Sequence, residues 1–282
     1  MSANLQPQTL NTWLLDASSE LHAAGISTAL LDAEIIIAHT IKKGRTYLHA
    51  HPDELLDPRT EEIANARLAL RLERVPVAYI VGHKEFYGRR FTVTTATLIP
   101  RPESEAMIDA LKDVLPQNQS LFTEKKRRLI DVGTGSGCIG ITAKLEISEL
   151  DVTLADVSTQ ALTIASKNAD QLHATVHVLK SDLLTDYAFN PDIILANLPY
   201  VDETWERSPE TNHEPRLALF APDHGKALIY KLITQAGHRL APKGLLLIEA
   251  DPSQHDDIIR FAAKNDLQLV KRVDYILALQ RG

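Results

Sequence analysis

Residues 129–137 of this 282-residue chain read LIDVGTGSG. An aliphatic run with one acid leads into three glycines at alternate positions. The aliphatic residues predict a buried strand, and glycine lets the backbone turn tightly and approach a ligand closely. A helical pattern starts directly after the loop, and the free N–H groups at the start of that helix would face the ligand. The stretch therefore predicts a strand, a glycine loop and a helix in succession.

The spacing of the glycines leaves the ligand open. From Gly133 the loop reads G-x-G-x-G, and from Gly135 through Gly137 to Gly140 it also matches the dinucleotide fingerprint G-x-G-x-x-G. Both a dinucleotide and another nucleoside cofactor fit this spacing. A phosphate-binding loop is disfavoured, because Ile141 follows Gly140 where such a loop has lysine.

Two acids follow the next strands of the pattern. Asp156 ends the second strand, where a carboxylate accepts hydrogen bonds from the ribose hydroxyls of a nucleoside. The alternative is that Asp156 caps the following helix, as Ser158 also can. Asp182 follows the third strand and is in place to bind the adenine amino group. The glycine loop and Asp156 together predict a nucleoside cofactor.

Strand and helix patterns alternate from residue 128 onward, with helices such as Thr159–Leu172 and Lys226–Leu240. Such alternation predicts a parallel sheet covered by helices on both faces. Only a turn separates the last two strands, so we expect these two to pair antiparallel. The predicted strands are Leu129–Val132, Val152–Ala155, Thr175–Leu179, Ile193–Ala196, Leu245–Glu249, Leu267–Val273 and Tyr275–Leu279.

The N-terminal part of the chain has a helical pattern without alternating strands. Apolar residues recur at helical spacing, and Leu31–Ile41 reads as an amphipathic helix. Thr60, followed by two glutamates, predicts the start of an exposed helix over Glu61–Arg74.

After these helices, 86–88 and 90–94 predict two short strands that form a hairpin around Gly88. The expected organisation is a helical substrate-recognition domain at 1–75, a linker with the hairpin at 76–97, and a cofactor-binding domain at 98–282.

Composition limits the possible classes of protein. Hydrophobic residues make up 44% and charged residues 24% of the chain, which is typical of a globular protein. The formal net charge of −7 argues against nucleic acid as the main partner. The N-terminus lacks the features of a signal peptide, and no apolar stretch approaches the ~18 residues that span a bilayer. With a single cysteine, Cys138, these features predict a cytoplasmic protein without membrane contact.

Other polar features do not predict a chemical role. The histidine pairs at 49 and 51 and at 173 and 177 have no cysteine or carboxylate cluster beside them, so we expect no metal site. Cys138 reads as a small packed residue. The mostly basic run Glu124–Arg128 reads as a solvated loop. A hydrolase is not supported, because the chain lacks a G-x-S-x-G elbow.

Asn197-Leu198-Pro199-Tyr200 follows directly on the predicted strand Ile193–Ala196. Ligands of open α/β sheets bind outside the carboxyl ends of the strands, which is where this segment falls. The Asn197 amide oxygen and nearby carbonyl groups are acceptors that suit a planar NH₂ group, and Tyr200 can close over a flat substrate. A plain turn is the alternative, since Asn and Pro are common in turns.

The glycine loop, Asp156 and the Asn-Leu-Pro-Tyr segment together resemble the class I S-adenosylmethionine-dependent methyltransferases that act on planar amino or amide nitrogens. Flanking segments then distinguish between the adenine-N6 and the glutamine-N5 enzymes. They closely resemble the release factor glutamine methyltransferase family, over nearly the whole chain. These segments are Asp32–Glu34, Pro76–Gly82, Glu85–Gly88, Leu98–Glu105 and Glu214–Leu219.

This resemblance implies a Rossmann-like seven-stranded methyltransferase sheet, with a small N-terminal helical domain joined by a β-hairpin. It implies transfer of a methyl group from S-adenosylmethionine to the side-chain nitrogen N5 of the glutamine in the Gly-Gly-Gln motif of a peptide chain release factor. Asn197, Pro199 and Tyr200 would be catalytic, and Leu198 would join them in binding substrate. The cofactor-binding residues would be Gly133, Thr134, Gly135, Ser136, Gly137, Asp156, Asp182, Leu183 and Asn197.

Two segments depart from the family pattern. Leu198 stands where the family usually has proline, and Asn-Leu-Pro-Tyr is typical of ribosomal-RNA adenine dimethyltransferases. Glu249–Gln254 departs from a glycine-containing segment. The alternatives are therefore an adenine-N6 methyltransferase acting on RNA or DNA, and a cofactor-binding fold kept as an interaction module. Arg101 and Glu103 are expected either to contact ligand or to pair with each other.

Overall fold

The computed structural model describes residues 8–117 and 127–282, which divide into two compact units. The first unit runs to Gly82 and includes Ser208–His213, and the second comprises His83–Arg207 and Glu214–Gly282. Part of the basic run, at 124–126, lies outside the described residues. Its last two residues, Arg127 and Arg128, begin a strand, and Arg127 is buried, so the predicted solvated loop does not extend to them. The predicted domain boundaries at 75 and 97 stay predictions.

The first unit is helical. Its helices pack around a core that includes Trp13, Ile36 and Ile37, each at most 2% exposed. A buried ion pair joins Arg71 Nε to Asp32 Oδ2 at 2.7 Å, and the same guanidinium donates to Glu210 at 2.9 Å, which ties the segment 208–213 to this unit. The helices are α1 Leu10–Ala23, α2 Ala29–Ile41, α3 Arg45–Ala50, α4 Pro58–Leu72 and α5 Val77–Val81.

The start of α4 differs from the prediction. The helix begins at Pro58, and the Asp57 side chain is its N-cap, accepting from the Thr60 backbone N–H at 3.1 Å. Thr60 therefore lies inside the first turn. The helix can begin two residues earlier because proline is well tolerated at the first helical position. The helix is also not exposed throughout, because Ala64 and Leu68 lie in the core.

The second unit contains the hairpin and the alternating elements. The hairpin strands β1 His83–Phe86 and β2 Arg89–Thr92 are joined at Tyr87 and Gly88, which both have positive φ, as tight two-residue hairpin turns require. In the part of the chain that the structure describes, no helix is both long and apolar enough to cross a membrane. The elements that follow are α6 Glu105–Gln117, β3 Arg127–Val132, α7 Cys138–Glu146, β4 Leu150–Asp156, α8 Thr159–Gln171, β5 His177–Lys180, β6 Ile193–Ala196, α9 Arg216–Leu219, α10 Ala227–Arg239, β7 Leu245–Glu249, α11 His255–Ala263, β8 Leu267–Val273 and β9 Ile276–Arg281.

The strands β3 to β9 form one seven-stranded sheet in the order β5-β4-β3-β6-β7-β9-β8. The pairs from β5 to β7 are parallel, and β9 runs antiparallel to both β7 and β8, which confirms the predicted topology. The chain leaves β3 for β4 on one side and returns to β6 on the other side. Ligand sites of open α/β sheets lie at such a switch point.

Both faces of the sheet are buried, as predicted. Leu129 and Ile193 belong to the core on one face, and Ile130 and Ile194 to the core on the other. All four are at most 1% exposed. Strands covered on both faces read as continuous apolar runs, which is why these strands could be recognised in the sequence.

The substitution Gly140→Ala tests how closely α7 packs on the sheet. An added Cβ would lie 2.8 Å from Asp131 Cβ, closer than van der Waals contact allows. Alanine ordinarily stabilises a helix interior by about 1 kcal/mol over glycine. Here we expect Gly140→Ala to lower the free energy of unfolding by about 1–3 kcal/mol through overpacking.

Urea unfolding followed by circular dichroism measures this change. Gly44→Ala is the control, because its Cβ would meet only Thr46 Oγ1 at an ordinary 3.7 Å. A Gly140→Ala protein as stable as the wild type would contradict the close packing of α7.

Candidate active site

A cavity of about 430 Å³ opens at the carboxyl ends of the parallel strands. The loops after β3, β4, β5 and β6 all contribute to its wall. Of the predicted residues, Gly137 and Tyr200 are not among those that line it. The lining residues that were predicted are Gly133, Thr134, Gly135, Ser136, Asp156, Asp182, Leu183, Asn197, Leu198 and Pro199.

Asp156 holds the glycine loop in place. Its Oδ2 accepts the backbone N–H of Gly135 at 3.0 Å, and its Oδ1 accepts that of Ser158 at 2.8 Å. The side-chain cap of α8 is Ser158, whose Oγ accepts from Ala161 N at 3.2 Å. Each carboxylate oxygen has two acceptor sites, so Asp156 can position the loop and still accept from a hydroxyl in the cavity.

Asp131 fixes the other side of the loop. Its Oδ2 accepts from Thr134 Oγ1 at 2.6 Å and from the Gly140 N–H at 2.9 Å. The side chain is buried, and burial raises the pKa of Asp131 to about 6. The glycine motif does not by itself predict this role for Asp131. Its position within an otherwise apolar strand was the available signal that it is buried and bound.

Asp182 and Leu183 form the wall beyond β5. Asp182 Oδ2 lies 2.5 Å from Lys231 Nζ, and both side chains are about half exposed. Leu183 has a φ of 55° and is buried. A carboxylate can accept from a lysine and a ligand at once, so the ion pair is compatible with the predicted contact to an amino group.

Asn197 is tied to a buried acid by way of a hydroxyl group. Its Nδ2 donates to Ser104 Oγ at 3.0 Å, and Ser104 Oγ donates to Glu249 Oε2 at 2.5 Å. Glu249 ends β7 and is 1% exposed. Sequence reasoning missed both Ser104 and Glu249, although an acid that ends an apolar strand was the same signal that singled out Asp156.

Tyr200 is also bound to Glu249. Its hydroxyl donates to Glu249 Oε1 at 3.1 Å, and its carbonyl accepts from Gln254 Nε2 at 2.9 Å. Burial raises the pKa of the Tyr200 phenol well above its usual range. The hydroxyl group therefore stays protonated, and closure of the Tyr200 ring over a flat substrate remains a prediction.

Leu198 packs against the glycine loop. The side chain is 4% exposed, and its Cδ2 lies 2.9 Å from where a Cβ on Gly133 would stand. Gly133 also has a φ of 71°, which L side chains rarely adopt. The departure from the family pattern at Leu198 therefore fills the space above Gly133 with an aliphatic side chain.

Arg101 pairs with Glu214 and not with Glu103, its expected alternative partner. Arg101 Nη2 donates to Glu214 Oε1 at 2.5 Å, and the Ile99 backbone N–H donates to Glu214 Oε2 at 3.1 Å. These partners are more than 100 residues apart in the chain, so tertiary structure decides the pairing. Arg101 lines the cavity, and a contact with ligand stays a prediction.

The remaining polar candidates are the cysteine and the histidines, and their surroundings do not point to a chemical role. Burial raises the pKa of the Cys138 thiol to about 12, so the thiol stays protonated and is a poor nucleophile. His49 lies 3.1 Å from Glu34, and His177 lies 3.2 Å from Asp151. Over residues 8–117 and 127–282, no group of three or more His, Cys, Asp or Glu side chains is placed to hold a metal ion.

The substitution Gly133→Ala tests whether the glycine loop binds the cofactor. A Cβ at this position meets Leu198 and strains the backbone at the cavity wall. We therefore expect Gly133→Ala to weaken S-adenosylmethionine binding by roughly 10-fold or more, which corresponds to a loss of ~1.4 kcal/mol or more in binding free energy. Calorimetric titration measures the affinity.

Gly82→Ala is the matched control, since Gly82 has a similar φ of 76° and open space for a Cβ. An equal loss of affinity in both variants would show that general strain, and not the loop, is responsible.

Comparisons with known proteins agree with this geometry. Residues 12–82 match the family model described as PrmC N-terminal domain, and residues 104–214 match the Methyltransferase small domain. A 16S rRNA methyltransferase from T. thermophilus, solved with AdoMet and guanosine, superposes with a TM-score of 0.50 at 16% identity, over 71% of this chain and 50% of that chain. At this identity the likeness shows the fold alone, and it confirms the predicted Rossmann-like class.

Two relatives match over almost their full length. The release factor glutamine methyltransferase of Koribacter versatilis is 36% identical over 279 residues, which cover 94% of this chain and 97% of that protein. The release factor glutamine methyltransferase of Leptospira interrogans is 34% identical over 263 residues, which cover 90% and 89%. The resemblance inferred from the motifs is confirmed, and the chain belongs to the release factor glutamine methyltransferase family.

Proposed function

We propose that the protein transfers the methyl group of S-adenosylmethionine to the side-chain nitrogen N5 of the glutamine in the Gly-Gly-Gln motif of a peptide chain release factor. The family supports the reaction class, and relatives that match nearly the whole chain are named for this substrate. The observation that carries the proposal is the position of Asn197. It lines the cavity beside the glycine loop while its own NH₂ group is bound to Ser104.

The residues around the cavity fit the cofactor. A volume of about 430 Å³ lies within the usual range of small-molecule sites. The glycine loop would hold the cofactor, Asp156 would accept from its ribose hydroxyls, and Asp182 would accept from its adenine amino group. When bound, S-adenosylmethionine supplies a sulfonium methyl carbon that needs no further activation.

The protein's own task is to position a weak nucleophile. An amide nitrogen has its lone pair delocalised into the carbonyl group, so it must be brought into line with the methyl carbon. Asn197 Oδ1 and the Leu198 backbone carbonyl are acceptors that would hold the two amide N–H bonds. Orientation of this kind contributes ~7–11 kcal/mol at most. The same acceptors would stabilise positive charge that develops on the nitrogen.

A dedicated general base is not part of the proposal. Tyr200 stays protonated because burial raises the pKa of its phenol. Both oxygens of Glu249 already accept from Tyr200 and Ser104. The proton would leave the nitrogen after methyl transfer, when the product nitrogen is strongly acidic.

Substrate affinity would come from a second part of the chain. We propose that the helical domain, predicted at residues 1–75, binds the release factor while the Gly-Gly-Gln loop of the release factor enters the cavity. Binding energy gained away from the reacting atoms positions the glutamine without taking part in the transfer. The acidic net charge of −7 fits a protein substrate better than a nucleic-acid one.

Adenine-N6 methylation is the competing function. The same acceptors fit the NH₂ group of adenine, and Leu198 is the residue that favours this substrate. The test is methyl transfer from labelled S-adenosylmethionine to purified release factor, to its Gln→Ala variant in the Gly-Gly-Gln motif, and to ribosomal RNA in parallel. We expect label on the intact release factor and none on the variant. Label on the RNA instead would overturn the proposal.

Asn197→Ala separates substrate positioning from cofactor binding. We expect the rate of methyl transfer to fall by roughly 100-fold or more, because an oriented acceptor at the reacting nitrogen is lost. The affinity for S-adenosylmethionine, measured by calorimetry, should change little.

Asn190→Ala is the matched control, because Asn190 is exposed in the loop before β6. If cofactor affinity in Asn197→Ala fell as far as the rate, Asn197 would belong mainly to the cofactor site.

A further inference from the structure

The two ends of the Asn197 side-chain amide are chemically opposite. The oxygen only accepts hydrogen bonds, and the NH₂ group only donates. A substrate NH₂ group brings donors, so it is bound only if the oxygen of Asn197 faces the cavity. If the amide turned over, two sets of donors would oppose each other. The orientation of one side chain therefore decides whether the site works.

The contacts of Ser104 determine this orientation. The Ser104 hydroxyl has a single hydrogen, and Ser104 Oγ donates it to Glu249 Oε2 at 2.5 Å. Ser104 Oγ then has only lone pairs left for a second partner. Asn197 must meet it with Nδ2, at 3.0 Å, which directs Oδ1 away from Ser104.

Burial makes this arrangement stable. Ser104 and Glu249 are each 1% exposed, so water does not compete for these hydrogen bonds. The second oxygen of Glu249 is held by the Tyr200 hydroxyl at 3.1 Å. Glu249 ends β7, Asn197 follows β6, and Ser104 closes the turn Pro102–Ser104 before α6. Three separate elements therefore meet at one carboxylate, which restricts its movement.

We propose that Ser104 and Glu249 are positioning residues that hold the Asn197 amide with its oxygen toward the cavity. They thereby select substrates that present a planar NH₂ group. The inference rests on the proposed function in one respect, namely that Asn197 touches the substrate. Ser104 lies at the cavity wall and Glu249 behind it, and in this proposal both act through Asn197.

A purely structural role is the rival explanation. In that case Ser104 would only fasten the turn before α6 to the end of β7. Its loss would lower the stability of the fold and the affinity for S-adenosylmethionine together with the rate. A positioning role lowers the rate alone, and its effect disappears once Asn197 is absent.

The test compares Ser104→Ala, Ser104→Thr, Asn197→Ala and the double variant Ser104→Ala/Asn197→Ala. We would measure kcat, the KM for release factor, calorimetric affinity for S-adenosylmethionine, and thermal unfolding. Ser104→Ala should lower kcat by roughly 10- to 100-fold, as misplacement of a reacting group does, with KM and cofactor affinity within about 3-fold of the wild type. Ser104→Thr keeps the hydroxyl and should recover most of the rate.

The double variant gives the sharpest result. Groups that act as one unit have non-additive effects, so Ser104→Ala should lower the rate little further when Asn197 is already alanine. Ser253→Ala is the control, since Ser253 is an exposed serine that bonds Asp251, and it should leave kcat unchanged.

Additive losses in the double variant would overturn the inference. So would wild-type kcat in Ser104→Ala, or equal losses in Ser104→Thr and Ser104→Ala with both proteins folded. The rate of each variant is compared with the wild-type rate on whichever substrate the wild-type protein labels. Label on RNA alone would therefore refute the proposed function, while the same ratios would still test the positioning role.

Discussion

The site depends on the parallel register of β3 with its two neighbours. Val132 at the end of β3 is level with Ala155 of β4 on one side and with Ala196 of β6 on the other. The residues that follow these strands therefore meet at one edge of the sheet. The register also lets Gly133 N–H donate to Ala155 O at 2.8 Å, which holds the glycine loop against the end of β4, next to Asp156.

Two buried acids organise this edge, and each accepts hydrogen bonds from fixed protein donors. Asp131 accepts from Thr134 and Gly140, and Glu249 accepts from Ser104 and Tyr200. Burying a carboxyl group is costly unless its oxygens are hydrogen-bonded, and burial raises the pKa of both groups. Because every donor has a fixed place, the acids set the directions in which the loop and the Asn-Leu-Pro-Tyr segment point.

The sequence predicted those parts of the fold and site that depend on local pattern. The strands were recognisable because both faces of the sheet are buried, and the glycine loop because Gly133 needs both a positive φ and the absence of a Cβ. The contacts of Ser104 with Glu249 and of Arg101 with Glu214 were not foreseen. Each joins residues more than 100 positions apart, so packing alone brings them together.

The central claim is that the oxygen of Asn197 is aimed at a substrate amide. The most direct measurement is a crystal structure of the protein with S-adenosylhomocysteine and a Gly-Gly-Gln peptide. The account predicts the glutamine side-chain nitrogen within hydrogen-bond distance of Asn197 Oδ1, with Asn197 Nδ2 still on Ser104. A glutamine nitrogen bound elsewhere, or an Asn197 side chain turned away from Ser104 in that complex, would contradict it.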